Sequence, residues 1–234
     1  MSKMETIVVG GSPMEVLYDG PADSKARPGI LLMYHRGGFD DFTKLVVKTL
    51  VDAGYRVAVP DVSHRTSRDV PMKDRKQYFK DAEVVADMKA GYEFLKARPE
   101  VLGGSITLMG HCMGGRMAFL GGGAIPGFSA LVVFYGGGVL LPWGEGPQTP
   151  FDLLKNIRCP VIGFSGGQDM NPSPEHMQQI SAELKRHGVP HEFHLYPDVG
   201  HGFQNPAHGS LEEQAAAKDS WEKAFEFLRR MMPA

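Results

Sequence analysis

The stretch Ser105-Ile106-Thr107-Leu108-Met109-Gly110-His111-Cys112-Met113-Gly114-Gly115 decides how the rest of the chain is read. An apolar, β-branched run meets Gly110, turns on Cys112 and restarts at Met113 as a helical pattern reaching Leu120. Gly-x-Cys-x-Gly between a strand and a helix is the nucleophile-elbow pattern, with cysteine where serine often stands. The flanking residues must be small, because a strand end and a helix start meet there with almost no space between them. The side chain on such a turn is pushed above the sheet in a strained conformation. A thiol at a helix N-terminus also feels the free N–H groups and the dipole, which favour the thiolate.

The chain has 234 residues and a formal net charge of −2, so a single α/β domain can bury a full core. That charge balance gives no basis for nucleic-acid or anionic-membrane binding. No run of about 18 apolar residues occurs, and the opening Met1–Ile7 lacks the apolar core of a signal peptide. The two cysteines, Cys112 and Cys159, read as thiols of a reduced, cytoplasmic protein. Cys159, before Pro160 at the lip of a strand, reads as a packing residue.

Taken outward from the elbow, the pattern alternates strand and helix. Thr6–Val9 and Met14–Tyr18, separated by Gly10-Gly11-Ser12-Pro13, predict an edge hairpin. Gly29–Tyr34 and Tyr55–Val59 are continuous apolar runs, the mark of strands buried on both faces of a parallel sheet. Between them, Phe42 to Ala53 has helical spacing. A long helix is expected over Asp74–Arg98, and the elbow helix is expected to end at Gly121-Gly122-Gly123. Strands are expected at Phe128–Tyr135, Val161–Phe164 and His191–Tyr196, with helices at Ser173–His187 and Leu211–Met231. Val139–Lys155 shows no period beyond a helical turn near Leu153-Leu154. The expectation is one α/β domain over 1–234, a mostly parallel, doubly wound sheet of about eight strands, with 136–155 as a loop or small lid over the site.

A thiol nucleophile needs a base, and the base needs an orienting acid. In α/β-hydrolases these follow in the order nucleophile, acid, histidine. Asp169, after the Val161–Phe164 strand, and His201, in Gly200-His201-Gly202-Phe203 after the last strand, supply that order. All three groups then fall at the carboxyl ends of parallel strands. Asp198 is a second candidate acid, close in sequence to His201. His191 and His194 lie on opposite faces of their strand, His176 and His187 on a helix, and His208 in a polar loop. No His/Cys/Asp spacing matches a structural zinc site, so no metal is expected. An oxyanion hole is expected from the backbone N–H groups of Met113 and Arg36, the latter in the loop His35-Arg36-Gly37-Gly38.

Gly110-His111-Cys112-Met113-Gly114-Gly115, Gly166-Gly167-Gln168-Asp169, Gly200-His201-Gly202-Phe203 and Pro60-Asp61 together resemble the dienelactone hydrolase family over nearly the full chain. The resemblance implies a cofactor-free α/β-hydrolase with Cys112, Asp169 and His201 as triad, hydrolysing esters or lactones of small, including anionic, substrates. Dienelactone-cleaving members carry a glutamate where this chain has His35, and an arginine after the histidine where this chain has Gln204-Asn205. His35, Arg36 and Phe203 are therefore the expected substrate-binding residues, with Arg65, Arg68 and Arg75 as further anion-gripping candidates. A general carboxylesterase or thioesterase, and a binding protein that keeps the pocket, are the alternatives. The expected partner is the small ester or lactone alone, with the chain a monomer or weak homo-oligomer.

Overall fold

Strands β1 (Lys3–Val9), β2 (Ser12–Asp19), β3 (Arg27–Met33), β4 (Arg56–Pro60), β5 (Val101–His111), β6 (Ala130–Phe134), β7 (Val161–Gly166) and β8 (His191–Tyr196) form one sheet in the order β1-β2-β4-β3-β5-β6-β7-β8. The computed structural model describes residues 2–146, 148–207 and 209–232, so His208 and Pro147 of the loops read above lie outside the described residues. The first three strands of that order pair antiparallel and all later pairs are parallel. The β1–β2 hairpin closes with Val9 opposite Ser12, so the turn is Gly10-Gly11 alone. Both have positive φ, 58° and 81°, which a two-residue hairpin turn requires.

Among the described residues six α-helices accompany the sheet: α1 (Asp41–Asp52), α2 (Asp81–Lys96), α3 (Met113–Ala124), α4 (Pro150–Leu153), α5 (Pro174–Arg186) and α6 (Leu211–Met231). Cross-strand register shows which face each covers. His111, Phe134, Phe164 and His194 are partners across β5, β6, β7 and β8. Their rings stack in a row at 4.5, 4.8 and 5.4 Å. Trp221 of α6 and Phe42 of α1 pack on that row. Leu108 and Leu131 sit three residues before His111 and Phe134, hence on the other face. They press against Gly121 and Gly122 of α3. Helices thus cover both faces, which is why the central strands are apolar without alternation.

Two expectations about helices are corrected. The helix predicted over Asp74–Arg98 is two pieces, a 3-10 turn at Met72–Tyr78 and then α2. Phe79 and Lys80 between them are extended, with ψ of 145° and 133°. The break lets Phe79 bury against Trp143, and it places Asp81 in the first turn of α2 facing Arg116. The elbow helix does not stop at the glycine triplet but runs through it to Ala124. There the glycines serve close packing: a Cβ would lie 2.7 Å from Leu108 at Gly121, 2.4 Å from Leu131 at Gly122 and 2.3 Å from the Leu153 carbonyl at Gly123. Among the described residues no helix is long and apolar enough to cross a membrane.

Candidate active site

The carboxyl ends of β3, β5, β6, β7 and β8 open onto one end of the sheet, and Cys112, Asp169 and His201 follow β5, β7 and β8 there. Cys112 has φ 55° and ψ −116°, the strained turn expected of the elbow. Its N–H donates to the Phe134 carbonyl at 2.9 Å, so β6 holds the corner in place. Met113 begins α3, and the Gly115 and Arg116 N–H groups close the first turn on the Cys112 carbonyl at 2.9 and 3.2 Å.

Asp169 and His201 come together from 32 residues apart. His201 Nδ1–H donates to Asp169 Oδ2 at 2.7 Å, and Asp169 Oδ1 accepts the Asn171 N–H at 2.8 Å. The carboxylate is almost fully buried and the imidazole partly exposed. Asp198, the other candidate acid, is exposed. The imidazole faces the Cys112 thiol within hydrogen-bonding reach, and the charges act on one another. Burial on its own would push the thiol up. The His201 hydrogen bond and charge, the Met113 N–H and the Lys76 ammonium outweigh it and hold Cys112 below the ordinary thiol value. Burial likewise pulls His201 down, but its bonds to Asp169 and Cys112 and their negative charges raise it to about 10. Cys159 shows the contrast: buried with no such partners, its thiol is pushed up to about 12.

A pocket of about 410 Å³ lies over Cys112, lined by Arg36, Lys76, Met113, Trp143, Asp169 and His201 among others. Of the expected residues, Arg36 reaches it, its guanidinium braced on the Lys73 carbonyl at 2.6 and 3.2 Å. His35 does not line it. Its Nε2 lies 2.8 Å from Asp40 Oδ2, and its ring packs edge-on against Phe42. Asp40 caps α1 by accepting the Thr43 N–H, so its carboxylate is fixed where it draws the imidazole away. Phe203 is buried behind the site, packed on Tyr135 and Tyr196 at 5.5 and 5.2 Å. Arg65, Arg68 and Arg75 are occupied elsewhere, by Asp87, by Glu15 with Asp61, and by Ser63 with the Val70 and Arg68 carbonyls.

Sequence reasoning passed over three features. Lys76, on the 3-10 turn, reaches the pocket and has no carboxylate partner among the described residues. Its amine is held below the ordinary lysine value by burial and by the Arg36 and Arg116 charges. A continuous helix over Asp74–Arg98 gave no register that would aim it there. Arg116 and Asp81 form a bidentate pair at 2.6 and 3.0 Å that ties down 138–143. Arg116 also donates to the Gly138 and Leu141 carbonyls, Asp81 accepts the Trp143 N–H, and the guanidinium lies 3.8 Å from the Trp143 ring centre. The segment read as a loop or lid is therefore anchored at Trp143, a wall of the pocket. Gln204, at the position compared with an arginine, is buried. It accepts from His111 Nε2 at 2.8 Å and donates to Ser220 at 2.7 Å, tying the His201 loop to the elbow strand and α6. Burial keeps His111 neutral, pulled down to about 3.

The model of the dienelactone hydrolase family matches residues 14–232. This chain belongs to the dienelactone hydrolase family. It is similar to a protein of Methylorubrum extorquens AM1 provisionally named carboxymethylenebutenolidase, 26% identical over 217 residues that cover 90% of this chain and 74% of that one. A Salmonella typhimurium LT2 protein with the same provisional name is 26% identical over 229 residues, 93% of this chain and 83% of its own. Among solved structures, a Klebsiella pneumoniae protein provisionally named a dienelactone hydrolase superposes with a TM-score of 0.86 at 21% identity, covering 98% of both chains. A dienelactone hydrolase-like promiscuous phosphotriesterase from metagenomic libraries gives 0.82 at 20%, covering 99% and 98%. These likenesses show the α/β-hydrolase fold, and the family match makes the chain a hydrolase of the dienelactone hydrolase type.

Proposed function

We propose that this dienelactone hydrolase-family member is a cysteine hydrolase of small esters or lactones that carry a negative charge. What supports the nucleophile is that the thiol sits on the strained corner facing an imidazole that a buried carboxylate holds at 2.7 Å. In the proposed cycle the Cys112 thiolate attacks the substrate carbonyl carbon, and the carbonyl electron pair moves onto oxygen. The Met113 and Arg36 N–H groups receive that oxyanion. Collapse breaks the C–O bond, and the alkoxide takes the proton of the His201 imidazolium. Water then attacks the thioester while His201 takes one of its protons. The C–S bond breaks, the acid leaves, and the thiolate–imidazolium pair returns. With a lactone the alkoxide stays tethered to the acyl group. Rapid mixing with a 4-nitrophenyl ester and acid quench should trap one acyl group per chain on the peptide bearing Cys112. An unmodified Cys112 with turnover intact would refute the nucleophile.

The charge preference rests on Lys76 and Arg36. Both line the pocket, and neither has a carboxylate partner among the described residues. An anion bound between them relieves their mutual repulsion and the partial burial of the Lys76 amine. Lys76→Gln should raise KM for a 4-nitrophenyl hemisuccinate roughly tenfold, about 1.4 kcal/mol, and leave KM for the neutral 4-nitrophenyl acetate near wild type, any loss of thiolate showing equally in kcat for both. Equal changes for both esters would remove charge recognition from the proposal.

A further inference from the structure

The pocket over Cys112 does not end at its cations. A second cavity, of about 610 Å³, shares Arg36, Lys76, Gly138, Trp143 and Asn171 with it as walls. The two spaces therefore meet at these residues, and a group held by Arg36 and Lys76 lies at their junction. Beyond the junction one side is apolar, built by Phe79, Leu141, Pro142 and Trp143. Another side carries Lys73 and Asp74, consecutive on the 3-10 turn, whose opposite charges offset each other. The proposed cycle gives this space no occupant.

The apolar side is fixed by bonds made outside the cavity. Asp81 N–H donates to the Trp143 carbonyl at 2.9 Å, and Trp143 N–H donates to Asp81 Oδ2 at 3.0 Å. The Arg116 guanidinium covers the indole 3.8 Å from its centre, and the buried Phe79 ring packs on it at 5.7 Å. Gly138 N–H donates to Asn171 Oδ1 at 2.9 Å, tying the loops after β6 and β7 where the cavities meet. Trp143 stays partly exposed and Leu141 is 71% exposed. One exposed apolar side chain is ordinary, but here two flank the same cavity. Lys76 Nζ lies 5.7 Å from the Trp143 ring centre, so a carboxylate at Lys76 sits beside the indole. A cavity of about 150 Å³ already admits a benzene ring. A planar ring also stacks on an aromatic wall, which an alkyl chain does not. A second carboxylate would meet the Asp74 charge.

We propose that the second cavity is an aryl-binding subsite, so that the preferred substrates are esters or lactones whose acyl part bears a carboxylate and, beyond it, an aromatic ring. The inference rests on the reading of Arg36 and Lys76 as the grip on that carboxylate. The probe is a 4-nitrophenyl hemisuccinate with a benzyl group on the carbon next to its free carboxylate. Its KM should lie about tenfold below that of the plain hemisuccinate, on the scale of burying a ring's apolar surface. Its kcat should be little changed, because the ring touches no reacting atom. Leu141→Ser and Trp143→Leu should each cut the KM ratio to about threefold or less. The Leu141 change spares the fold, since it is the Leu141 carbonyl that bonds Arg116. Calorimetry of the wild type with benzylsuccinate and with succinate should show the same tenfold preference without turnover. Equal KM values, or equal dissociation constants, would overturn the subsite. A preference that survives both variants would place the ring elsewhere and overturn it too. Should Lys76→Gln raise KM for the plain hemisuccinate alone while the benzyl group gains nothing, only the subsite falls. Should Lys76→Gln shift hemisuccinate and acetate alike, the charge reading falls and this substrate class with it.

Discussion

Cys112→Ala should lower kcat/KM on activated esters by about 10⁴-fold or more, the scale on which removing a nucleophile acts when base and acid remain. The residual rate would come from the pocket and the oxyanion donors. The fold should survive, because alanine fits where cysteine did and the corner is held by the backbone bond from Cys112 N–H to Phe134. The pH dependence follows from the two shifted groups. Cys112 is lowered, so its thiolate is present from well below the ordinary thiol range. His201 is raised to about 10, so its imidazolium lasts until pH passes that value. The reactive pair therefore exists in the window between them: activity should rise as the thiol ionises and fall as His201 loses its proton near pH 10. Stopped-flow alkylation of wild type should show the acidic limb directly. Ester turnover by Cys112→Ala at the wild-type rate would place the nucleophile elsewhere.

Gly114→Ala should be among the most destabilising single-methyl changes in the protein. A Cβ at Gly114 would lie 2.0 Å from the Met33 carbonyl oxygen and 2.9 Å from that of Tyr34, both backbone atoms of the neighbouring strand and its exit. Neither can rotate aside, so β3 must move away from the helix start. Gly110 is blocked in the same way, with a Cβ 2.0 Å from the Gly114 carbonyl. Such overpacking belongs with the exceptional substitutions costing about 4 kcal/mol or more, a large share of the 5–15 kcal/mol that holds a typical domain folded. For a chain of this size that corresponds to a Tm lower by roughly 10 °C. Gly103→Ala is the control, since a Cβ there meets nothing within 4 Å. Equal melting of the two variants would mean that the elbow is not packed as described.

The parts of the site legible in advance are those whose chemistry is tied to a local pattern. Gly-x-Cys-x-Gly announces a strained corner, and continuous apolar runs announce strands whose carboxyl ends converge. His201 and Asp169 could be selected because each follows such a run. His35 could not be placed the same way. Its orientation is settled by Asp40, whose role as the cap of α1 competes with the pocket for the same imidazole. Lys76 was hidden by a helix that breaks at Phe79 and Lys80, where burial of an aromatic ring and the Asp81–Arg116 pair outweigh helical periodicity.

Sequence alone determined the sheet's central strands, the elbow and the order of thiol, carboxylate and imidazole, because backbone periodicity and glycine sterics act over a few residues. Only the tertiary structure decided which cations face the thiol and that Trp143 is anchored by Arg116 and Asp81. Those depend on where separate strand exits meet in space, and charges and buried donors act across that gap whatever their distance along the chain.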